Sequence, residues 1–179
     1  MRIPVLETER LQIRELRLDD LPVVHRILDQ DLGDFGGHSL DMRRRWLEWT
    51  VLAYEQLANL HQPPYNDRAI VERETRELIG LCGLVPCLGP YWSRTRSVPE
   101  VGLYWAVSHA HQRRGYATEA GQALITYAFT TLNVQRIIAT TDFENAASIG
   151  VMRKLGMRIE RNTRGEPEWL QVFGVLERT

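Results

Sequence analysis

The fold is decided by the stretch Glu100-Val-Gly-Leu-Tyr-Trp-Ala-Val107 and, shortly after it, Gln112-Arg-Arg-Gly115-Tyr-Ala117. The first segment is rich in β-branched and aromatic residues and predicts a strand over 100–107. The second predicts a tight basic turn that opens a helix running to about Thr130. A helix start leaves backbone N–H groups unpaired and concentrates positive dipole, and Gly115 lets the chain turn back on itself. These two segments therefore predict a binding site for a phosphate or diphosphate group.

Outward from this segment, the chain predicts one mixed α/β (α+β) domain with a single central sheet. Alternating residues over 10–17 predict a first strand, Asp19-Asp20 opens a first helix, and Ser39 can cap a second helix. Further strands are predicted at 67–73, 78–85 and 134–141, with two more within 157–177. A last helix is predicted over 145–155, where Gly156 suits the left-handed position that ends it.

Composition supports a single domain over residues 1–179 and excludes several classes of partner. The 179 residues are 44% apolar, which is enough for a core, and the net charge of −1 favours neither nucleic acid nor an anionic membrane. Cys82 and Cys87 are too few for a disulfide framework, so we expect reduced thiols. No apolar run reaches the roughly 18 residues of a membrane span, and the first residues do not resemble a signal peptide. We therefore expect a cytoplasmic protein.

Three segments leave alternatives open. The run Arg43-Arg44-Arg45 is either a solvated helix face or a contact for an anionic partner. The segment 86–99 is long for a loop, and it is either a lid or a tolerated surface insertion. His109 and His111 have no third ligand at metal-binding spacing, so no metal site is predicted.

The pattern Gln112-x-x-Gly115-x-Ala117 resembles the acyl-CoA pyrophosphate loop of the GNAT N-acetyltransferase superfamily. Gly-x-Gly-x-x-Gly and Gly-Lys-Ser/Thr loops are absent from the sequence, which disfavours a dinucleotide dehydrogenase or a P-loop NTPase. Asn145-Ala-Ala-Ser148 and Lys154-Leu-Gly-Met157 are similar to the Asn-x-x-Ser…Lys-x-Gly-Phe segment of the RimJ/RimL-like branch, with Met157 in place of the usual aromatic. The strand from Glu100 is similar to the Glu-Ile-Gly-Tyr strand of the same branch.

The resemblance implies the GNAT fold, acetyl-CoA as cosubstrate, and a set of cofactor-binding residues. In this fold a mixed sheet flanked by helices is splayed between the strands at about 100–107 and 134–141, and the pantetheine arm lies in the opening. The residues implied to bind the cofactor through backbone or side chain are Ala106, Val107, Gln112, Arg113, Arg114, Gly115, Tyr116, Ala117 and Asn145. Asn145 could also cap its own helix.

The resemblance also implies direct acetyl transfer to an amine in a ternary complex, with no covalent acyl-enzyme. Glu100 is the candidate general base. The alternative is that Glu100 is only a charged residue at the start of the strand. A β-bulge in this strand would turn the Glu100 side chain to the other face of the sheet. Ser148 is the candidate acid that protonates the leaving thiolate. The alternative is that the Ser148 hydroxyl only forms a hydrogen bond with the helix backbone. Cys82 and Cys87 match no nucleophile position.

The implied acceptor is a primary amine, first a protein N-terminal α-amine and second a small amine metabolite. Phe35, His38 and Trp169 are the residues that the resemblance brings to the acceptor pocket. A homodimer is compatible with the resemblance. Two alternatives remain: a non-catalytic module that binds or senses acyl-CoA, and an N-acyltransferase that uses a longer acyl group.

Overall fold

A computed structural model describes residues 2–33, 37–86, 100–163 and 170–178. These residues form an eight-stranded sheet with the spatial order β1-β2-β3-β4-β5-β6-β8-β7. The strands are β1 (Leu6–Glu7), β2 (Leu11–Glu15), β3 (Asn66–Glu72), β4 (Leu78–Pro86), β5 (Glu100–Val107), β6 (Arg136–Thr141), β7 (Arg158–Arg161) and β8 (Val172–Glu177). Neighbouring strands are antiparallel except β5 and β6, which are parallel.

Helices cover both faces of the sheet. They are α1 (Leu21–His25), which continues as a π-helical segment (Arg26–Asp31), α2 (Leu40–Asn59), α3 (Tyr116–Thr130) and α4 (Ala146–Lys154). Buried side chains of α3 and α4, such as Leu124 and Met152, pack on one face, while Ile27 and Leu47 pack on the other face. Across the described ranges, no helix has the length and apolar character needed to cross a membrane.

The predicted order of helices and strands is confirmed. Ser39 caps α2 by accepting a hydrogen bond from the Met42 N–H at 3.3 Å, and Gly156 has a left-handed φ of +79° just after α4. The two-residue strand β1 was not predicted, because so short a strand gives no periodic pattern. The segment 87–99, with Cys87, lies outside the described residues.

Cys82 is a buried free thiol in the centre of the sheet. Burial raises its pKa to about 12. The protonated thiol is a poor nucleophile, so Cys82 acts as a small core residue.

Close packing between β4 and β5 gives a direct test of the fold. A Cβ at Gly80 would lie 2.4 Å from the Ala106 carbonyl oxygen, whereas a Cβ at Gly150 in α4 would meet no atom within 4 Å. We expect Gly80→Ala to lower the free energy of unfolding by about 1–3 kcal/mol through overpacking. The matched variant Gly150→Ala should raise it by about 0.5–1 kcal/mol, because alanine favours the helix. Urea denaturation of both variants checks this, and equal midpoints would contradict the packing of β4 on β5.

Candidate functional site

β5 and β6 are paired over only part of their length, next to the predicted site. The two strands pair only at Glu100↔Arg136, Val101↔Ile137 and Gly102↔Ile138. Beyond Gly102, β5 stays paired with β4 as far as Val107, and β6 stays paired with β8 as far as Thr141. The edges that face each other past Gly102 therefore diverge, and the predicted splay is confirmed.

The strand register determines which backbone groups of β5 face this opening. Pro86 has no N–H, so its partner Val101 stands at a non-hydrogen-bonded position of the β4–β5 ladder. At the other end of the β4–β5 ladder, the Ser108 N–H donates to the Ile79 carbonyl at 2.9 Å, so the even-numbered residues of β5 are the ones that form hydrogen bonds with β4. The N–H and C=O groups of Leu103, Trp105 and Val107 consequently face the opening. Those of Ala106 face β4, which removes Ala106 from the expected backbone partners of a ligand in the opening.

The turn between β5 and α3 closes the wide end of the opening. Arg113 and Gly115 both have left-handed backbone angles, with φ of +61° and +86°. Gly115 is the N-cap of α3 and provides no capping side chain, so the first N–H groups of the helix point out of the turn. The Gln112 side chain donates to the Val107 carbonyl at 3.1 Å and fixes the turn to the end of β5. This geometry fits an anionic group such as a diphosphate.

Arg10 holds the other side of the same turn, and sequence reasoning missed it. Its guanidinium donates to the Arg114 carbonyl at 3.0 Å and lies 4.6 Å from the centre of the Tyr116 ring. It also forms a salt bridge with Glu119 in the first turn of α3, with Nη2 and Oε2 separated by 2.6 Å. The two residues are 109 positions apart, so no local pattern links them.

The charge of Glu119 is neutralised within this cluster. Burial alone would raise the pKa of Glu119, but hydrogen bonds from the Thr8 hydroxyl and from Arg10 outweigh it and lower that pKa. The carboxylate is therefore ionised and paired with Arg10. An unpaired carboxylate at this position would repel an anion bound at the helix start.

Tyr116 and Ala117 form the first turn of α3. The Tyr116 hydroxyl donates to the Glu72 carboxylate on β3, and this hydrogen bond, together with burial, raises the pKa of Tyr116. The side chain of Tyr116 is thus anchored in the core, and its backbone N–H remains at the helix start. Ala117 is half-buried and packs against the core on the α3 face.

Glu100 lies at the start of β5, where β5 and β6 are still paired. Its carboxylate is 3.4 Å from the Arg136 guanidinium, which also contacts Glu177 at 3.1 Å. The Glu100 side chain is only 9% exposed. The β4–β5 register contains no bulge over Val101–Val107, so Glu100 shares a face with Gly102 and Tyr104, as an unbroken strand requires.

Asn145 and Ser148 begin α4. The Asn145 side-chain oxygen accepts a hydrogen bond from the Ser148 N–H at 2.9 Å, so the predicted capping role of Asn145 is confirmed. Ser148 is half-buried in the first turn. Contact of either residue with a cofactor stays a prediction.

The expected acceptor side is bounded by the segment before α2. The His38 N–H donates to the Asp29 carboxylate at 2.9 Å, and Asp29 binds the Arg43 guanidinium at 2.7 Å and 2.8 Å. Burial would raise the pKa of Asp29, but the hydrogen bonds from Arg43, His25 and the His38 backbone lower it to about 2. Asp29 therefore anchors the chain at His38. Phe35 and Trp169 lie outside the described residues.

Arg43 and Arg45, from the arginine run, have different partners, and neither has a free side chain. Arg43 is buried against Asp29, whereas Arg45 is exposed and pairs with Asp41 one helical turn away. Among the residues that the structure describes, no three His, Cys, Asp or Glu side chains form a group that could hold a metal ion.

Comparison with known proteins identifies the family. A sequence model of the acetyltransferase (GNAT) domain matches residues 10–158. The chain belongs to the GNAT acetyltransferase family.

Relatives of this GNAT chain support the same class of enzyme. The uncharacterized N-acetyltransferase p20 of Bacillus licheniformis is 35% identical over 161 residues, which cover 87% of this chain and 83% of the relative. The spermidine N(1)-acetyltransferase of Escherichia coli (strain K12) is 26% identical over 155 residues, covering 84% and 74%. The crystal structure of an acetyltransferase from Agrobacterium tumefaciens str. C58 is 26% identical, with a TM-score of 0.74 and coverage of 99% and 96%. The chain is an N-acetyltransferase.

The Arg10 cluster gives a test of whether this turn is a CoA site. We expect Arg10→Met to weaken CoA binding about fivefold, because the variant leaves the Glu119 carboxylate unpaired at the start of α3. The double variant Arg10→Met/Glu119→Gln should recover most of the affinity, since it also removes the negative charge. Calorimetric titration with CoA gives the dissociation constants.

Arg14 provides the matched control. It lies in β2 near Arg10, and it pairs with Asp20 at 2.7 Å, away from the turn. Arg14→Met should leave CoA affinity unchanged. An equal loss in the Arg10 and Arg14 variants, or no rescue by Glu119→Gln, would show that Arg10 does not act through Glu119.

Proposed function

We propose that this protein transfers the acetyl group of acetyl-CoA to a primary amine, as a RimJ/RimL-like member of its family. A protein N-terminal α-amine is the first candidate acceptor, and a small amine metabolite is the second. The observation that carries the proposal is the opening between β5 and β6, which ends at the turn that starts α3. One end of this opening suits a diphosphate, and its long edge suits an amide-containing chain.

The turn would hold the diphosphate of acetyl-CoA through backbone N–H groups of Gly115, Tyr116 and Ala117. The side chains of Arg113 and Arg114 are exposed and add positive charge there. Gln112 would act indirectly, because its side chain is bonded to Val107.

The exposed edge of β5 would bind the pantetheine arm. The N–H and C=O groups of Trp105 and the N–H of Val107 face the opening, so an amide-containing arm can pair with them as an added strand does. Asn145 at the start of α4 would supply a further polar contact while it caps its helix.

Transfer would proceed by attack of the amine nitrogen on the thioester carbon, with formation of the C–N bond and loss of the thiolate. The N–H groups of Leu103 and Trp105 face the opening and are suited to donate to the carbonyl oxygen as negative charge develops. Ser148 would donate a proton to the departing sulfur and regain one, through water, from the nitrogen, which loses its second proton as the amide forms. This help is modest, because a thiol with a pKa near that of cysteine, about 8.5, leaves readily.

Glu100 would remove the proton from the acceptor amine, directly or through one water. An alkylamine is mostly protonated at neutral pH, so a base is needed before attack. Glu100 is on the sheet face opposite α3 and α4 and has Arg136 as an ion-pair partner. Arg136 would hold the carboxylate in place.

A small cationic acceptor is supported by one of the relatives. One relative, which matches 84% of the length of this chain, is a spermidine N(1)-acetyltransferase. A peptide N-terminus and a polyamine both present a primary amine, so the same groups of this chain would serve either acceptor.

Release of the CoA thiol from acetyl-CoA in the presence of amines tests the proposed function. We expect turnover with peptides or small primary amines, and we expect Glu100→Gln to lower kcat by about 100-fold or more. CoA binding should be unchanged in this variant.

Glu177→Gln is the matched control, because Glu177 is exposed and contacts the same Arg136. It should retain kcat. Equal rates for Glu100→Gln and the native protein would exclude Glu100 as the base. Binding of acetyl-CoA with no thiol release for any amine would favour the non-catalytic module, and faster release from longer acyl-CoAs would favour the longer-chain acyltransferase.

A further inference from the structure

Five large apolar side chains are exposed on α2 and at its C-cap. They are Leu40, Met42, Trp49, Leu52 and Leu60. The exposed fraction of each lies between 44% and 65%. The inner side of the same helix, which includes Leu47 and Thr50, is buried against the sheet. Single exposed apolar side chains are ordinary on a protein surface, but several on one helix mark a binding surface.

The spacing of these residues along α2 is that of a helix which packs on another helix. Met42, Trp49 and Leu52 belong to a stripe through positions 42, 45, 49, 52, 56 and 59, and the steps along it alternate between three and four residues. This alternation defines the a and d positions of a heptad, which line the contact between two packed helices. We call this stripe the α2 seam. It lies on the solvent side of the helix, away from Leu47 and Thr50.

The α2 seam is complementary to itself when two copies are antiparallel. A two-fold axis between positions 50 and 51 places Trp49 of one copy opposite Leu52 of the other, and this contact occurs twice. The same axis places Met42 opposite Asn59 and beside Leu60. The centre of the contact is therefore apolar and contains two tryptophans, and tryptophan is the residue type most often found at the energetic centre of an interface.

Charged side chains along the α2 seam favour the antiparallel orientation. In this register Arg45 faces Gln56 of the second copy and lies between two exposed carboxylates, Glu48 of its own helix and Glu55 of the second copy. A parallel orientation would instead place the two copies of Arg45 opposite each other, where they would repel. In the single chain Arg45 pairs with Asp41 at 3.2 Å, but the two side chains are 78% and 66% exposed, so this ion pair is weak.

We infer that this protein forms a two-fold symmetric dimer in which the α2 seams of two copies pack antiparallel. A contact of this symmetry uses the same surface on both copies, so it closes at two copies and does not extend into a filament. α2 has 20 residues and is about 30 Å long. One pair of such helices is at the lower end of the size range of specific interfaces, so we expect a dissociation constant in the micromolar range. The dimer does not depend on the proposed function and is measured without any ligand.

Sedimentation velocity over a series of protein concentrations tests the dimer. We expect the native protein to change from monomer to dimer across the micromolar range. Trp49→Gln and Leu52→Gln should each raise the dimer dissociation constant about tenfold or more, because each removes apolar surface from the centre of the contact. Val5→Gln is the matched control, since Val5 is 52% exposed and lies in the groove beside α3, on the other face of the sheet. It should dimerise like the native protein.

Reversal of charge tests the orientation of the two helices. Arg45→Glu should raise the dissociation constant about tenfold or more, because three carboxylates then meet at one level of the contact. The double variant Arg45→Glu/Glu55→Arg should return the constant to within about threefold of the native value, since opposite charges again face each other. Arg44→Glu should leave the dimer unchanged, because Arg44 is exposed on α2 outside the α2 seam. All of these side chains are exposed, so each variant should unfold at the native temperature.

Each of three results would overturn the inference. A native protein that stays monomeric at every concentration would exclude the dimer and leave the exposed face of α2 to a different partner. A dimer that Trp49→Gln and Leu52→Gln do not weaken would use another surface. A dimer that Arg45→Glu weakens and the added Glu55→Arg does not restore would contradict the antiparallel orientation.

Discussion

The proposed cofactor site depends on the fact that β5 and β6 pair at only three positions. Each strand is fully paired on its other side, β5 with β4 and β6 with β8, so the two can diverge and still remain in the sheet. Divergence leaves N–H and C=O groups of β5 without a strand partner among the described residues. Such groups need a hydrogen-bond partner. A ligand that carries amides is the occupant that we propose for this edge.

The turn after β5 would add selectivity for an anion to this proposed surface. Left-handed angles at Arg113 and Gly115 direct backbone N–H groups outward, and α3 begins there without a side-chain cap. Glu119 would oppose an anion at this place, but Arg10, which directly precedes β2, neutralises its charge. The proposed anion site is thus built from two distant parts of the chain.

Local patterns predicted the elements, and they predicted less about contacts between elements. The strand 100–107 followed from its β-branched and aromatic residues, and the caps at Ser39 and Gly156 followed from single residue types; the structure confirms them. The orientation of the Ala106 backbone depends on the pairing register with β4, which no single strand reveals. The Arg10–Glu119 pair joins residues that are 109 positions apart in sequence. A bare Gly83 between two strands gives no sign, in the sequence alone, that the Tyr104 ring lies above it.

Hydrogen exchange of backbone amides with and without acetyl-CoA tests the central claim most directly. The account predicts slower exchange for peptides that cover 103–107 and 112–118 when acetyl-CoA is present, with α2 unchanged and ATP giving no protection of 103–107. Protection confined to other parts of the chain, or equal protection of 103–107 by ATP, would contradict the assignment of the β5–β6 opening as the cofactor site.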